Sequence, residues 1–363
     1  MKKISLVTYH CSPNVGAVMQ TYALCRFLKE QGFQVEIVDI RNFEPNLKTI
    51  SVGSPLAVRL VKSVVYPQRM KKLFKQFYPP LTQHYLSMEE LKQNPPISDY
   101  YIVGSDQVWN PSICRSKALA YFLDFGPADA KRLSYASSFG LDHWEEGDYA
   151  TTEKVQKCFD GFKAISVREM EGAKILEETF NKKATTVLDP TLLHNEYPEI
   201  TGKVKQRKEI VCYKLNKTED FWRYTPAVGA KIGLPVLLLN HNYPKKGFKY
   251  HFNPSVSQWV RRMAGASFIL TDSFHGVAFS IIYRKPFAAI LNHNGKDSRL
   301  ISLLKLLHLE NRMFNNVEEM TKDDRWLSPI DYQEVDKYLS AMKEQSVNYL
   351  LNALDTDEDE SNI

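Results

Sequence analysis

Apolar residues along this chain fall into short unbroken runs, and between them they recur every three or four positions. That alternation belongs to buried parallel strands and the helices that cover them. A run at 4–9 predicts the first strand. Residues 16–30, with Val18, Tyr22, Leu24, Phe27 and Leu28 apolar, predict a helix that Gly32 ends before a strand at 35–40. Strands follow at 100–103, 132–137, 164–167 and 185–188, with helices at 148–161 and 169–180. A polar stretch at 194–208 reads as a linker. A second alternating unit places strands at 209–213, 236–239, 267–270 and 286–290. Its helices are expected at 218–230, 256–264 and 297–307, and a final amphipathic helix at 333–353. No internal repeat is visible. The expected architecture is α/β, with two Rossmann-like domains and a central cleft. Residues 1–200 would form the N-terminal domain, 207–330 the C-terminal domain, and 331–363 a closing helix and tail.

Composition narrows the class. A length of 363 residues favours two domains, and 44% hydrophobic with 25% charged residues is ordinary for a globular protein. The five cysteines are scattered, without a C-x-x-C pair, which argues for reduced thiols in a cytoplasmic protein and against a zinc site or disulfide frame. The first apolar run is broken by Thr8, His10 and Asn14, so it reads as a strand rather than a signal peptide. No run approaches the roughly 18 apolar residues of a membrane span. A net charge of +5 is too small to argue for nucleic-acid binding. Its distribution says more. Residues 45–88 hold no Asp or Glu, yet contain Lys48, Arg59, Lys62, Arg69, Lys71, Lys72 and Lys75 among Leu, Val and Phe. This suits basic amphipathic helices, either lying on an anionic membrane or presenting a solvated face; the two readings are equal here. The acidic run at 355–360 is expected to be a disordered tail.

In an open parallel sheet, ligands bind at the loops after strand C-termini. Four such loops carry chemistry. After the first strand, Asn14 and Gly16 open a helix where backbone can approach a ligand, although the G-x-G-x-x-G of dinucleotide sites is absent. After 100–103 come Ser105, Asp106, Gln107, Trp109 and Asn110, polar groups with one aromatic plate, as sugar rings demand. Arg168 ends the 164–167 strand, placed for a carboxylate or phosphate, or else for a salt bridge to Glu169 or Glu171. After 267–270, Asp272, Ser273, His275 and Gly276 open a helix whose interior is apolar, with Lys296 and Arg299 farther on. Pattern alone stops at a transferase with an anionic donor and no metal ligands at metal spacing.

Six stretches then acquire a common meaning: "NVGAVMQTYAL", "IVGSDQVWNP", "SYASSFG", "ISVREMEGAKIL", "VLDPTLL" and "ILTDSFHGVAFSIIYRKPF". In this order, over residues 1 to about 310, the chain resembles the polysaccharide pyruvyl transferase family. The resemblance implies a glycosyltransferase-B-type architecture. It also implies transfer of the enolpyruvyl group of phosphoenolpyruvate onto sugar hydroxyls of a cell-surface polysaccharide or its lipid-linked precursor, as a ketal. Phosphoenolpyruvate is then a co-substrate, and no metal or other cofactor is expected. His275 matches the family histidine and is expected to be catalytic, with Asp106 orienting or deprotonating the hydroxyl. Arg168 matches the arginine at the end of the "SVR" strand and would hold the donor's carboxylate. Where many members carry an arginine two residues before the histidine, this chain has Ser273, so Arg284, Lys285 or Arg299 would supply donor charge beside Gly276. Asn14, Gly16, Ser105, Gln107, Trp109 and Asn110 would face the acceptor. Two rival readings are a nucleotide-sugar glycosyltransferase of the same architecture and a non-catalytic membrane-surface scaffold. The expected location is cytoplasmic, peripheral at the inner membrane face.

Overall fold

The computed structural model describes residues 1–12, 14–41, 76–239, 245–251, 254–293 and 297–355. Most of the acid-free stretch, Lys296 and all but the first residue of the acidic run lie outside them. The chain divides into two units, Met1–Pro190 with Gln345–Ile363, and Thr191–Glu344. The first boundary therefore falls at Pro190 rather than in the 194–208 stretch, within which Pro198–Thr201 is helical.

Unit 1 is built on strands β1 (Lys3–Val7), β2 (Gln34–Asp39), β3 (Leu81–His84), β4 (Tyr100–Val103), β5 (Lys131–Ser134) and β6 (Phe162–Ala164). They form one parallel sheet in the order β3-β2-β1-β4-β5-β6. The strand β3 lies inside the stretch expected to be helical, because its backbone completes the edge of β2. The single strand expected at 164–167 is two: after β6 the chain shifts at Ile165, and β7 (Ser166–Val167) pairs instead with β8 (Thr185–Thr186). The covering helices are α1 (Val15–Glu30), α2 (Thr152–Asp160) and α3 (Met170–Phe180). Asn14 starts α1 by accepting the Gly16 amide at 2.9 Å.

Unit 2 holds β9 (Ile210–Tyr213), β10 (Val236–Leu238), β11 (Lys249–Tyr250), β12 (Phe268–Thr271), β13 (Phe287–Ile290) and β14 (Met313–Phe314). These again form one parallel sheet, in the order β11-β10-β9-β12-β13-β14. It is the strand order of unit 1 repeated, although no repeat is legible in the sequence. Helices α4 (Glu219–Ile232), α5 (Val256–Gly265), α6 (Phe274–Ile282) and α7 (Ser298–Leu306) connect them. A last helix, α8 (Tyr332–Asp355), begins in unit 2, where the Tyr332 hydroxyl donates to the Lys285 carbonyl at 2.8 Å. It ends in unit 1, where the Ser346 hydroxyl accepts the Leu188 amide at 2.9 Å. Among the described residues no helix is long and apolar enough to cross a membrane.

β4 and β9 are buried along their whole length, as central strands covered on both faces must be. In unit 1 the core gathers around Trp109, which stacks on Phe122 at 6.0 Å and meets Phe159 edge-on at 5.0 Å. The end of β4 leaves no room for a side chain. Gly104 has φ +136°, and a Cβ there would lie 1.9 Å from the Tyr135 carbonyl oxygen. Gly104→Ala should therefore destabilise the protein by about 3 kcal/mol or more, combining overpacking with a strained backbone. A urea midpoint equal to that of the parent would contradict this account of the β4 end.

Candidate functional site

The strand order of unit 2 decides where its ligand crevice can be. From β9 the connections run outward to β10 and β11, whereas β12, β13 and β14 build on the other side. The chain leaves β9 and β12 in opposite directions along the sheet, which makes their C-terminal ends the position where an open sheet of this kind binds ligands. Buried polar groups lace this point together. The Asp272 carboxylate, fully buried, accepts the Leu215 amide at 2.6 Å and the Asn216 amide at 2.8 Å. The buried Lys214 ammonium lies 3.2 Å from the same carboxylate. The Thr271 hydroxyl donates to the Tyr213 carbonyl at 2.6 Å and accepts the Ser273 amide at 3.1 Å. The β9 and β12 loops are thus bonded to each other.

Two helices begin at this point, and they differ electrostatically. Helix α4 is capped by Thr218 and carries Glu219 and Asp220 in its first turn, so its positive end is already answered by acids. Helix α6 has no side-chain cap from Ser273 and no acid in its first turn. Its start suits an external anion. His275 sits in that first turn, buried, with its ring edge-on to Phe274 at 5.3 Å. Gly276 has a steric reason as well. A Cβ there would come within 2.0 Å of the Thr271 Oγ1, so only glycine lets α6 press on the end of β12.

The third wall comes from β13. Asn292 donates through Nδ2 to the Asp272 carbonyl at 3.4 Å. The Asn292 and His293 amides donate to the Asp297 carboxylate at 2.9 and 2.7 Å, just ahead of α7. Arg299 lies in the first turn of α7, on the same sheet edge as His275. Arg284 and Lys285 do not join this edge. They follow α6, roughly 13 Å from its start by helical rise, and precede β13 at the sheet's opposite edge. Arg284 pairs with Asp336, and Lys285 bonds the Gln206 side chain at 2.9 Å. The helix carries the chain away from the site before the two cations appear. Conversely, Lys214 and Lys217 stand in the loop after β9. Their signal was in plain view, in "YKLNKTED" directly after a predicted strand, a strand-end loop that the sequence reading passed over. Burial lowers the Lys217 ammonium from the usual lysine value; Asp272 opposes the shift and Lys214 adds to it.

In unit 1 the expected site residues serve the scaffold. Arg168 is buried, with Nη1 2.7 Å from Asp189, Nη2 3.3 Å from Asp106, and Nε 4.0 Å from Glu169. Burial opposes its charge, but Asp189 and then Asp106 and Glu169 outweigh burial and hold it above the usual arginine value. The Ser105 hydroxyl donates to the Ala136 carbonyl at 2.8 Å, with the Asp189 carboxylate 3.2 Å away. Asp106 also accepts the Gln107 amide at 2.9 Å, and the half-buried Gln107 side chain lies against Gly140. Trp109 is a core residue and not a sugar plate, its indole N–H donating to the Tyr121 carbonyl at 3.0 Å. Asn110 caps the short helix Pro111–Cys114 and bonds the Phe139 carbonyl at 2.9 Å. Asn14 caps α1, and Gly16 is buried in it. The crevice position between β1 and β4 is itself spanned by Gln20, which accepts the Ser105 amide at 3.0 Å and donates to the Thr8 hydroxyl at 2.9 Å. Polar residues at these strand ends satisfy buried backbone and charge, which a sequence pattern cannot separate from ligand binding.

One unit 1 cluster escaped sequence reading altogether. At the ends of β1, β2 and β3, the buried Asp39 carboxylate meets Arg41 at 2.8 Å, His84 at 3.3 Å and His10 at 3.4 Å. Burial pushes this carboxyl up, but His10, Arg41 and His84 together hold it below the usual range.

Both buried clusters generate tests. Arg168→Met leaves three carboxylates around an empty centre and should cost about 3–5 kcal/mol in denaturant unfolding. A loss below about 1 kcal/mol would mean that the carboxylates hold the strand ends without it. The lowered carboxyl of Asp39 contributes stability that is complete above about pH 4, its unfolded value, and is lost as pH falls through the folded value. Asp39→Asn should therefore flatten the acid limb of the stability–pH curve. An unchanged limb would remove Asp39 from acid unfolding.

Comparison with known proteins fits this geometry. A family model described as polysaccharide pyruvyl transferase matches residues 14–294. No curated protein matches the chain. Among solved structures, the chain is similar to S. aureus MnaA in a co-structure with UDP, with a TM-score of 0.56 and 12% identity over 97% of this chain and 98% of that one. It is similar to the UDP-GlcNAc 2-epimerase from Neisseria meningitidis bound to UDP-GlcNAc, with a TM-score of 0.55 and 10% identity over 97% and 100%. The spinosyn forosaminyltransferase SpnP gives a TM-score of 0.52 and 10% identity over 97% and 99%. At such identities the likeness is one of fold, the glycosyltransferase-B architecture of two Rossmann-like domains. The sequence match is of another kind: it runs through both units and takes in the loops after β9 and β12 and the start of α6. On that match, the chain belongs to the polysaccharide pyruvyl transferase family.

Proposed function

We propose that this protein transfers the enolpyruvyl group of phosphoenolpyruvate to two hydroxyls of a sugar, closing a cyclic ketal and releasing phosphate. The observation that carries the reading is the C-terminal edge of the unit 2 sheet, where His275 stands in the acid-free first turn of α6 and the loops that bear Lys214, Lys217 and Arg299 leave the same edge. Phosphoenolpyruvate brings a phosphate and a carboxylate, and this edge offers cations and a helix dipole to both. Protonation of the methylene carbon by His275 makes the adjacent carbon electrophilic. One hydroxyl oxygen bonds to that carbon, the C–O bond to phosphate breaks, and the second hydroxyl closes the ring. Of the two hydroxyl protons, one returns the histidine to its starting state and one leaves with phosphate. A group that both donates and recovers a proton near neutral pH is the natural task of histidine.

The acceptor class we infer from family membership is a sugar of a surface polysaccharide or its lipid-linked precursor. For a lipid-linked acceptor, the acid-free stretch at 45–88 would favour residence at an anionic membrane, each basic residue near the surface adding about 1 kcal/mol.

Mass spectrometry of glycan intermediates after incubation with phosphoenolpyruvate tests the reading. A product heavier by one pyruvyl ketal is expected, with release of inorganic phosphate. Turnover with a nucleotide sugar instead would favour a glycosyltransferase. His275→Ala and His275→Gln should each lower transfer by at least about a hundredfold while leaving the unfolding midpoint near that of the parent. Activity within a few-fold of the parent in both variants would take His275 out of the mechanism.

A further inference from the structure

We propose that a cavity at the N-terminal ends of β5 and β6 binds a small amphipathic anion, an apolar body that carries one sulfonate, phosphate or carboxylate head. The cavity lies within unit 1, at the sheet edge opposite the strand C-termini. It is therefore a second position, and the proposal does not rest on the pyruvyl-transfer reading.

The cavity has a volume of about 730 Å³, within the range of small-molecule sites. Its apolar wall comes from Leu119, on the short helix Ala118–Tyr121, and from Leu123 and Phe125 in the turn that leads to β5. Helix α2 contributes Lys154, Lys157 and Cys158, which the helical period sets on one face. Arg132, the second residue of β5, and Gly161, just ahead of β6, complete this side of the lining.

Arg132 indicates the charge of the occupant. It is buried, and its guanidinium donates to carbonyl oxygens: Nε to Leu123 at 3.0 Å, Nη1 to Ala130 at 3.1 Å, and Nη2 to Phe125 at 2.7 Å and Pro127 at 2.9 Å. These bonds hold the turn that forms the apolar wall. They bring no counterion, and among the described residues Arg132 makes no ion pair with a carboxylate. A buried charge without a counterion is costly, and a bound anion offsets that cost. Burial pulls Arg132 below the usual arginine value, against opposition from Tyr101, Cys158, Asp124 and Asp129.

Three lysines stand around the same space. Lys92 pairs with Asp124 at 2.7 Å and Lys157 with Glu153 at 2.7 Å, exposed pairs that a ligand head can displace at little cost. The Lys154 side chain makes no hydrogen bond or ion pair among the described residues. Asp160, at the end of α2, is taken by Lys182 at 2.8 Å. The lining thus sets four cations against the single carboxylate of Asp124. With the Arg132 donors spent on carbonyls, that residue supplies the field and Lys154 the hydrogen bond to the head. The wall of Leu119, Leu123 and Phe125 calls for an apolar body, which inorganic phosphate lacks.

Cys158 provides a readout inside the cavity. Its thiol is half-buried and pushed up to about 12 by burial, so alkylation by iodoacetamide at about pH 9 is slow enough to follow by peptide mass spectrometry. The probe is anilinonaphthalene sulfonate, titrated into the full chain by fluorescence. At about ten times its Kd, Cys158 alkylation should slow about tenfold, as the unoccupied fraction falls. Lys154→Glu, at an exposed position, should weaken the probe about tenfold and leave the unfolding midpoint near that of the parent, while Lys154→Arg keeps the parent affinity. Neutral phenylnaphthylamine should shield Cys158 far less. Probe binding that leaves Cys158 alkylation unchanged would place the probe elsewhere and overturn the site. Equal shielding by the neutral compound, or parent affinity in Lys154→Glu, would overturn the anionic class of ligand. A chain that does not bind the probe would overturn the whole proposal.

Discussion

The Asp272 carboxylate is the interaction on which the candidate site depends. A parallel sheet whose connections reverse direction leaves two strand-end loops diverging, with backbone amides that neither the sheet nor a helix can satisfy. A buried carboxylate at the end of β12 answers this need. It takes two amides from the opposite loop and is itself balanced by a buried lysine. Its charge is costly to bury alone and tolerable only with all three partners in place. The loop after β9, the start of α6 and, through Asn292, the turn after β13 are consequently held in one arrangement.

Unit 1 meets the same topological demand with a different outcome. Its strand order is identical, yet Gln20 fills the space between β1 and β4, and Arg168 gathers carboxylates from three strand-end segments. There the polar groups face one another. In unit 2 the start of α6 has no side-chain cap from Ser273 and no acid in its first turn. Shared topology fixes where a site can form in each unit. The side chains at the strand ends decide whether the position is filled from within or left open to a ligand.

Much of the fold was legible in the chain because its strands are continuous apolar runs and its helices carry caps. The periodicity placed α1, α4, α5, α6 and α7 within a few residues. It did not reveal β3, whose Leu81–His84 has no apolar run and forms only because β2 offers an open edge. It also merged β6 and β7, since a change of sheet partner at Ile165 leaves no mark in hydrophobicity. Among the candidate residues, His275, Ser273, Gly276 and Arg299 were legible from their position after predicted strands, and they do lie at the C-terminal edge of the unit 2 sheet. Lys214 and Lys217 were passed over although they meet the same criterion.

What the sequence determined by itself is local in origin: the alternation of strand and helix, the family, and the polar strand-end loops from which a site would be built. Each follows from neighbouring residues, through apolar periodicity, caps and short motifs. What only the tertiary structure decided is which polar groups satisfy one another. Trp109 looked like a sugar plate and is the centre of the unit 1 core; Arg168 looked like a ligand-binding cation and is enclosed by Asp189, Asp106 and Glu169. Asp272 looked like one polar residue among several and holds the crevice of unit 2 together. The reason is physical: a buried charge or indole takes its meaning from partners tens of residues away in the chain, and only folding brings them within hydrogen-bond distance.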